Sequence, residues 1–240
     1  SMLALTCRLK DKWVFLLACV LLIQPLPLYY VIRACLDPSF ITPAIPTRSF
    51  WDATFAVQSH GSFLETVRVN LWEGQIASLA WAWDHGRVFQ TAALFLLGML
   101  IGRRGLFQKE NLKVWNKILA GALIAFFPLY GLGNMLPAFI VNKSILTPLS
   151  LIITSLSNFS FMLVLVSGVI FAFYNTNMHY LLMKITPYGK MSLTNYITQS
   201  IVGSMLYYNW GFALHNQCGI TVSCLAGIAF FILQFTFCRW

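Results

Sequence analysis

Acidic residues are scarce in this chain: 7 Asp and Glu stand against 16 Lys and Arg in 240 residues, a net charge of +9. Charge of either sign is scarce as well, at 10% of residues, where a soluble globular domain carries roughly 25%. That shortage excludes most soluble folds. A hydrophobic share of 58% excludes disorder, which requires little apolar surface and much charge. The six cysteines (Cys7, Cys19, Cys35, Cys218, Cys224, Cys238) include no C-x-x-C pair, so neither a zinc site nor a dithiol redox centre is legible. They are expected as small buried hydrophobes, without disulfide or metal. The G-x-G-x-x-G, Walker, H-E-x-x-H and G-x-S-x-G motifs are all missing, and no repeat of 20 to 50 residues is visible. No soluble enzyme chemistry is supported by motif.

What the sequence does have is long uncharged runs punctuated by Lys and Arg. About 20 apolar residues cross a hydrocarbon core at the helical rise. The runs predict an all-α polytopic transmembrane bundle of about six spans, near 13–32, 88–102, 118–137, 148–173, 191–209 and 219–238. The run 88–102 is short, and its flanking arginines make up the length by snorkelling. The first run is longer than a signal-peptide core and lacks a small-residue cleavage site, so it reads as a retained span. The whole chain, 1–240, reads as one membrane domain.

Lys and Arg collect on cytoplasmic loops. With both termini cytoplasmic, Arg8, Lys10, Lys12, Arg103, Arg104, Lys109, Lys113, Lys117, Lys184, Lys190 and Arg239 lie inside. The whole +9 excess then sits on that face. On the other face Arg33, Arg48, Arg68, Arg87 and Lys143 cancel Asp37, Asp52, Glu65, Glu73 and Asp84. The basic balance therefore reports orientation in a bilayer, and nucleic-acid binding is not expected.

The segment 33–87 is expected outside the cytoplasm. Pro38, Pro43 and Pro46 make its start extended or turned. From 62 to 82 Leu64, Val67, Leu71, Ile76 and Leu79 recur at helical spacing beside Trp72 and Trp81, which predicts an interfacial amphipathic helix. Glu65 and Arg68 either line an acceptor pocket with His60 and His85 or form a solvated helix pair. His85, next to Asp84, is the candidate general base.

Within the fifth predicted span, Ser192, Asn195, Tyr196, Gln199, Ser200 and Gly203 share one helical stripe. The stripe is either helix–helix glue or the lining of a substrate path, with Asn158 of the preceding span as its partner. The basic loop holding Arg103 and Arg104 either follows from topology alone or holds the phosphates of a donor such as an acyl-CoA. No ionisable group lies deep in a span, which argues against a proton-relay pump.

Two segments carry a resemblance: Pro187-Tyr188-Gly189-Lys190-Met191-Ser192-Leu193-Thr194-Asn195-Tyr196 with Gln199 and Ser200, and residues 94–107, LFLLGMLIGRRGLF. In these the chain resembles the YeiB-type family, bacterial inner-membrane proteins that form a domain of unknown function. That family is similar to membrane acyltransferases, which move acyl groups, often acetyl from CoA, onto sugars. Its members have a further N-terminal half with a His-Gly and a Trp-x-Gly-Asp region, and nothing here matches it. The resemblance therefore gives no residue of this chain a catalytic role.

The expectation is a multi-pass inner-membrane protein, the C-terminal part of a YeiB-like acyltransferase-type protein acting on a small polar or sugar acceptor. Acyl-CoA would be its donor substrate, with no bound cofactor or metal. The candidate binding residues are Asn158, Asn195, Gln199, Glu65 and Arg68 for the acceptor, and Arg103 and Arg104 for donor phosphates. The alternative is a permease for a small polar solute. The lipid bilayer is the expected partner, and the oligomeric state is open.

Overall fold

A computed structural model describes residue 6, residues 8–43 and residues 47–239; Cys7 and Pro46 lie outside the described residues. All regular structure among the described residues is helical. In chain order the helices are α1 (Asp11–Leu22), α2 (Pro25–Leu36), α3 (Thr47–His60), α4 (Phe63–Val69), α5 (Gln75–Asp84) and α6 (Arg87–Arg103). Then follow α7 (Leu112–Phe139), α8 (Lys143–Tyr174), α9 (Thr176–Lys190), α10 (Ser192–Tyr207) and α11 (Ile220–Arg239). Three of them, α7 with its preceding 3-10 turn, α8 and α11, are each long and apolar enough to cross a membrane. The number rises to five if two bent pairs each make one span.

One bent pair is α1 with α2, which meet at 50°. The break follows from sequence: Pro25 has no N–H to continue α1's ladder but suits the first turn of a new helix. Gln24, just before it, takes up the bend in a left-handed conformation (φ 61, ψ 73). In the other pair, α4 and α5 run on through a π turn at Asn70–Gly74, and the chain bends again before α6. Gly86 (φ 63) makes that corner, at a backbone angle that favours glycine.

The chain divides into two compact units, residues 1–45 with 81–174 and residues 46–80 with 175–240. In the first, α1 packs on α6 around Val14, Ala18, Leu96 and Leu100, all buried. Helix α8 packs on both α7 and α2. Polar contacts fix which ends meet. Arg103 and Arg104 pair with Asp11 at 3.3 and 3.1 Å, and Tyr174 donates to the Phe107 carbonyl at 2.6 Å. The start of α1, the end of α6, the start of α7 and the end of α8 therefore share one end of this unit. The opposite end is formed by Leu36, Arg87, Phe139 and Lys143, the other termini of α2, α6, α7 and α8. Outward side chains such as Ile124, Phe127 and Val169 are apolar and exposed, as a lipid-facing surface requires.

In the second unit, α9, α10 and α11 associate, and the turn after α10 reaches the end of α3, where the Asn209 N–H donates to the Gln58 carbonyl at 3.0 Å. Phe63 and Trp210 meet edge-on at 5.0 Å. The expected span at 191–209 appears as α10, 16 residues long. At the helical rise that is about 24 Å, short of a hydrocarbon core of about 30 Å. The amphipathic helix expected at 62–82 is present as the α4–π–α5 run, with Leu64, Leu71, Trp72 and Leu79 exposed.

Candidate functional site

The first unit holds a cavity of about 670 Å³, within the range of small-molecule sites. One wall is α8. Ser144, Thr147, Leu151, Thr154 and Asn158 alternate at three- and four-residue steps and so lie on one face, with Ser150 and Ser155 beside them. From Ser144 to Asn158 this wall runs about 21 Å along the helix. Leu26, Pro27 and Tyr30 of α2 supply an apolar side. The corner between α5 and α6 contributes Trp83, Asp84, His85, Arg87 and Gln90, and Lys143 stands at the start of α8. The cavity therefore lies toward the end of the unit opposite the Asp11–Arg103–Arg104 cluster.

A hydrogen-bond lattice holds this corner. Arg87 donates to Gln90 Oε1 at 3.0 Å, and Gln90 donates through Nε2 to the Ser155 carbonyl at 3.2 Å. Behind that wall Gln24, fully buried, donates to Ser155 Oγ at 2.9 Å. Its Oε1 finds no donor among the described residues. A buried acceptor left unpaired costs roughly 1–3 kcal/mol. With the left-handed backbone of Gln24, this is strain of the kind that collects at functional sites. Gly86 packs directly against the Gln24 side chain, where a Cβ would overlap it.

His85 sits on the cavity lining with its ring stacked on Trp81, centroids 4.9 Å apart. Its Nδ1 lies 3.0 Å from the Trp81 carbonyl oxygen. A carbonyl only accepts, so in the neutral ring Nδ1 carries the hydrogen and Nε2 is the basic nitrogen. Beside it, burial pushes the Asp84 carboxyl above the usual aspartate range, while the charge of His85 pulls it back. The Arg87 guanidinium lies 5.9 Å over the Trp81 ring, a cation–π contact.

The residues expected from sequence divide among four places. His85 and Asn158 both line this cavity. Asn195 and Gln199 belong to the second unit, in a closed network. There Asn195 is buried and donates to the Tyr188 carbonyl at 3.0 Å, and Gln199 donates to Tyr188 Oη at 3.0 Å and to Gln234 Oε1 at 2.9 Å. Gln234 returns a bond to the Asn195 carbonyl at 3.1 Å. Polar groups that satisfy one another in this way join α9, α10 and α11.

Glu65 is exposed and closes a capping box. It accepts from the Ser62 N–H and hydroxyl, both at 2.8 Å, and those bonds hold its carboxyl below the usual range. Arg68, one turn on, makes no ion pair with Glu65 among the described residues and is exposed. Arg103 and Arg104 both pair with Asp11, whose carboxyl is lowered chiefly by its hydrogen bond to Arg104.

Sequence reasoning missed Gln24, Gln90, Gln234 and, apart from Asn158, the α8 wall. Their signals are faint but present. A glutamine precedes two prolines in an apolar run, single glutamines interrupt two other spans, and Ser and Thr fall at helical spacing from Ser144 to Asn158. No group of three or more metal-ligating side chains occurs among the described residues.

A bundle of apolar helices with a polar cavity toward one end defines the class as a helical membrane protein. The family of proteins of unknown function DUF418 matches residues 101–240, more than half the chain. The chain belongs to that family. The match takes in the α8 wall and the Tyr188–Asn195–Gln199 motif; Gln24, His85, Arg87 and Gln90 precede it. No curated protein matches, and no solved structure does.

Proposed function

We propose that the cavity of the first unit is the acceptor site of a YeiB-like, acyltransferase-type protein of the bacterial inner membrane, and that it takes a small polar or sugar acceptor. The observation that carries this reading is His85. Its Nδ1 is committed to the Trp81 carbonyl, and its ring lines a cavity whose lining also carries the Ser and Thr side chains of α8. In this role Nε2 removes the proton from an acceptor hydroxyl as that oxygen attacks the carbonyl of an acyl thioester. The new C–O bond forms, the C–S bond breaks, and the departing thiolate takes up a proton. Asn158 and the Ser and Thr side chains of α8 orient the acceptor.

With both termini cytoplasmic, the cavity would face the outer side of the membrane. The donor reading of Arg103 and Arg104 then has a geometric cost. They lie at the far end of α6 from His85, about 24 Å along the helix, and any donor phosphate must compete with Asp11. A second reading, a permease for a small polar solute, is favoured by the length of the α8 wall, which carries polar groups about 21 Å along the helix.

One pair of assays separates the two. Under the first reading, membranes carrying the protein transfer label from acetyl-CoA to an acceptor, and His85→Gln lowers the rate at least a hundredfold. Uptake of an unmodified solute into proteoliposomes, with no covalent product, would favour the permease and remove His85 from catalysis.

A further inference from the structure

We infer that the cavity selects an anionic ligand, a molecule bearing a carboxylate or phosphate group, and that Arg87 and Lys143 hold that group. The inference rests on the reading of this cavity as the acceptor site and narrows the class of acceptor. Its basis is the charge inventory of the lining: Arg87 and Lys143 against the single carboxylate of Asp84. Neither Arg87 nor Lys143 has a carboxylate partner among the described residues, where the ion pairs are Arg48–Asp52, Arg103–Asp11 and Arg104–Asp11.

Arg87 is nonetheless held in place by neutral groups. The Trp81 face and Gln90 Oε1 fix the guanidinium without neutralising it, and Gln90 is itself fixed by the Ser155 carbonyl. A guanidinium presents five N–H donors, and one bond to Gln90 leaves most of them for a planar anion. The first turn of α6 adds to the field, since no side chain caps it and its free N–H groups belong to the same corner. Lys143 opens α8 and lines the same cavity, so a ligand with its anionic group at this end lays its body along the hydroxyls toward Asn158.

The test is equilibrium binding to the full chain in phosphatidylcholine nanodiscs with no acyl donor present, read by tryptophan fluorescence. The probes are inorganic phosphate, acetate and glucose. Phosphate and acetate are expected to bind saturably and to compete with each other, with glucose at least tenfold weaker. Arg87→Gln and Lys143→Gln should each weaken phosphate binding about tenfold or more, Arg87→Lys should restore part of it, and Arg48→Gln should change nothing. Nanodiscs containing phosphatidylglycerol identify the source. Suppressed phosphate binding there marks a lipid headgroup as the occupant, and unchanged binding marks a soluble anion; either outcome supports the site. Glucose binding as tightly as phosphate, or phosphate binding indifferent to both Arg87→Gln and Lys143→Gln, would overturn it. Because no donor is present, this result stands apart from the fate of His85 in the transfer assay.

Discussion

At the scale of single residues, the Gly86 corner and the Ser62 cap are the most exacting positions. Gly86 combines a positive φ with a Cβ position that would overlap Gln24 and come within 2.8 Å of Leu151. Gly86→Ala should therefore lower stability by about 2–4 kcal/mol, the sum of backbone strain and overpacking, in thermal unfolding of the detergent-solubilised protein. Gly98→Ala within α6, where a Cβ meets nothing within 4 Å, should leave the midpoint unchanged or slightly raised, since Ala loses less backbone entropy in a helix. The Ser62–Glu65 capping box gives a pH-dependent counterpart. Its bonds depress the folded pKa of Glu65, so the stabilisation is fully present above the unfolded value of about 4.5 and is lost as pH falls through the lower folded value. Amide protection in α4, measured relative to the intrinsic exchange rate at each pH, should fall below pH 4.5 in the native sequence. Ser62→Ala should remove that pH step and leave α4 exchanging faster at neutral pH as well.

Among the helices, packing decides more than propensity. The α1–α6 seam closes on Val14, Ala18, Leu96 and Leu100, and Leu96 is the largest of these that is fully buried. Leu96→Ala should cost about 3 kcal/mol by thermal melt, while Leu165→Ala on the exposed face of α8 costs much less. In the α9–α10–α11 cluster, Gln234→Leu leaves Gln199 and Tyr188 without their shared acceptor. It should lower stability by about 1–2 kcal/mol while leaving ligand binding in the first unit intact. Orientation is tested at this scale too. A reporter fused near His60 should be extracytoplasmic and one near Lys109 cytoplasmic, and the reverse pair would contradict the charge-based topology.

For the molecule as a whole, the apolar runs made the helical membrane class legible, because an uncharged run long enough to span a bilayer is rare in a soluble domain. Helices α3 and α9 were not legible. Both are amphipathic but much less apolar overall than the runs around them, and α9 carries Pro187 and Gly189, which read as turn residues until tertiary contacts hold them. The bend between α1 and α2 was written in Pro25 and Pro27 but hidden by the hydropathy of the run around them. Of the candidate cavity's lining, two residues were legible. His85 and Asn158 were chosen for their chemistry, and they line one cavity. Asn195 and Gln199 were chosen by the same logic, and their hydrogen bonds turn to Tyr188 and Gln234. Sequence cannot separate those two outcomes, since a polar stripe meant for a ligand and one meant for a neighbouring helix have the same spacing. The rest of the α8 wall escaped because isolated Ser and Thr return their hydroxyls to the helix backbone at little cost, as Ser160 does to the Leu156 carbonyl at 3.0 Å.

Both the acceptor reading and the anion site depend on a polar, water-accessible cavity that runs along α8 from Lys143 toward Asn158 and opens on the outer side. Cysteine accessibility, in a variant whose six native cysteines are replaced, tests that dependence. Intact cells carrying Thr147→Cys, Asn158→Cys or Leu165→Cys are treated from outside with a small, charged, membrane-impermeant thiol reagent. Labelling should be rapid at 147, slower but clear at 158, and absent at lipid-facing 165. Labelling at 158 no faster than at 165 would contradict the cavity and both readings built on it.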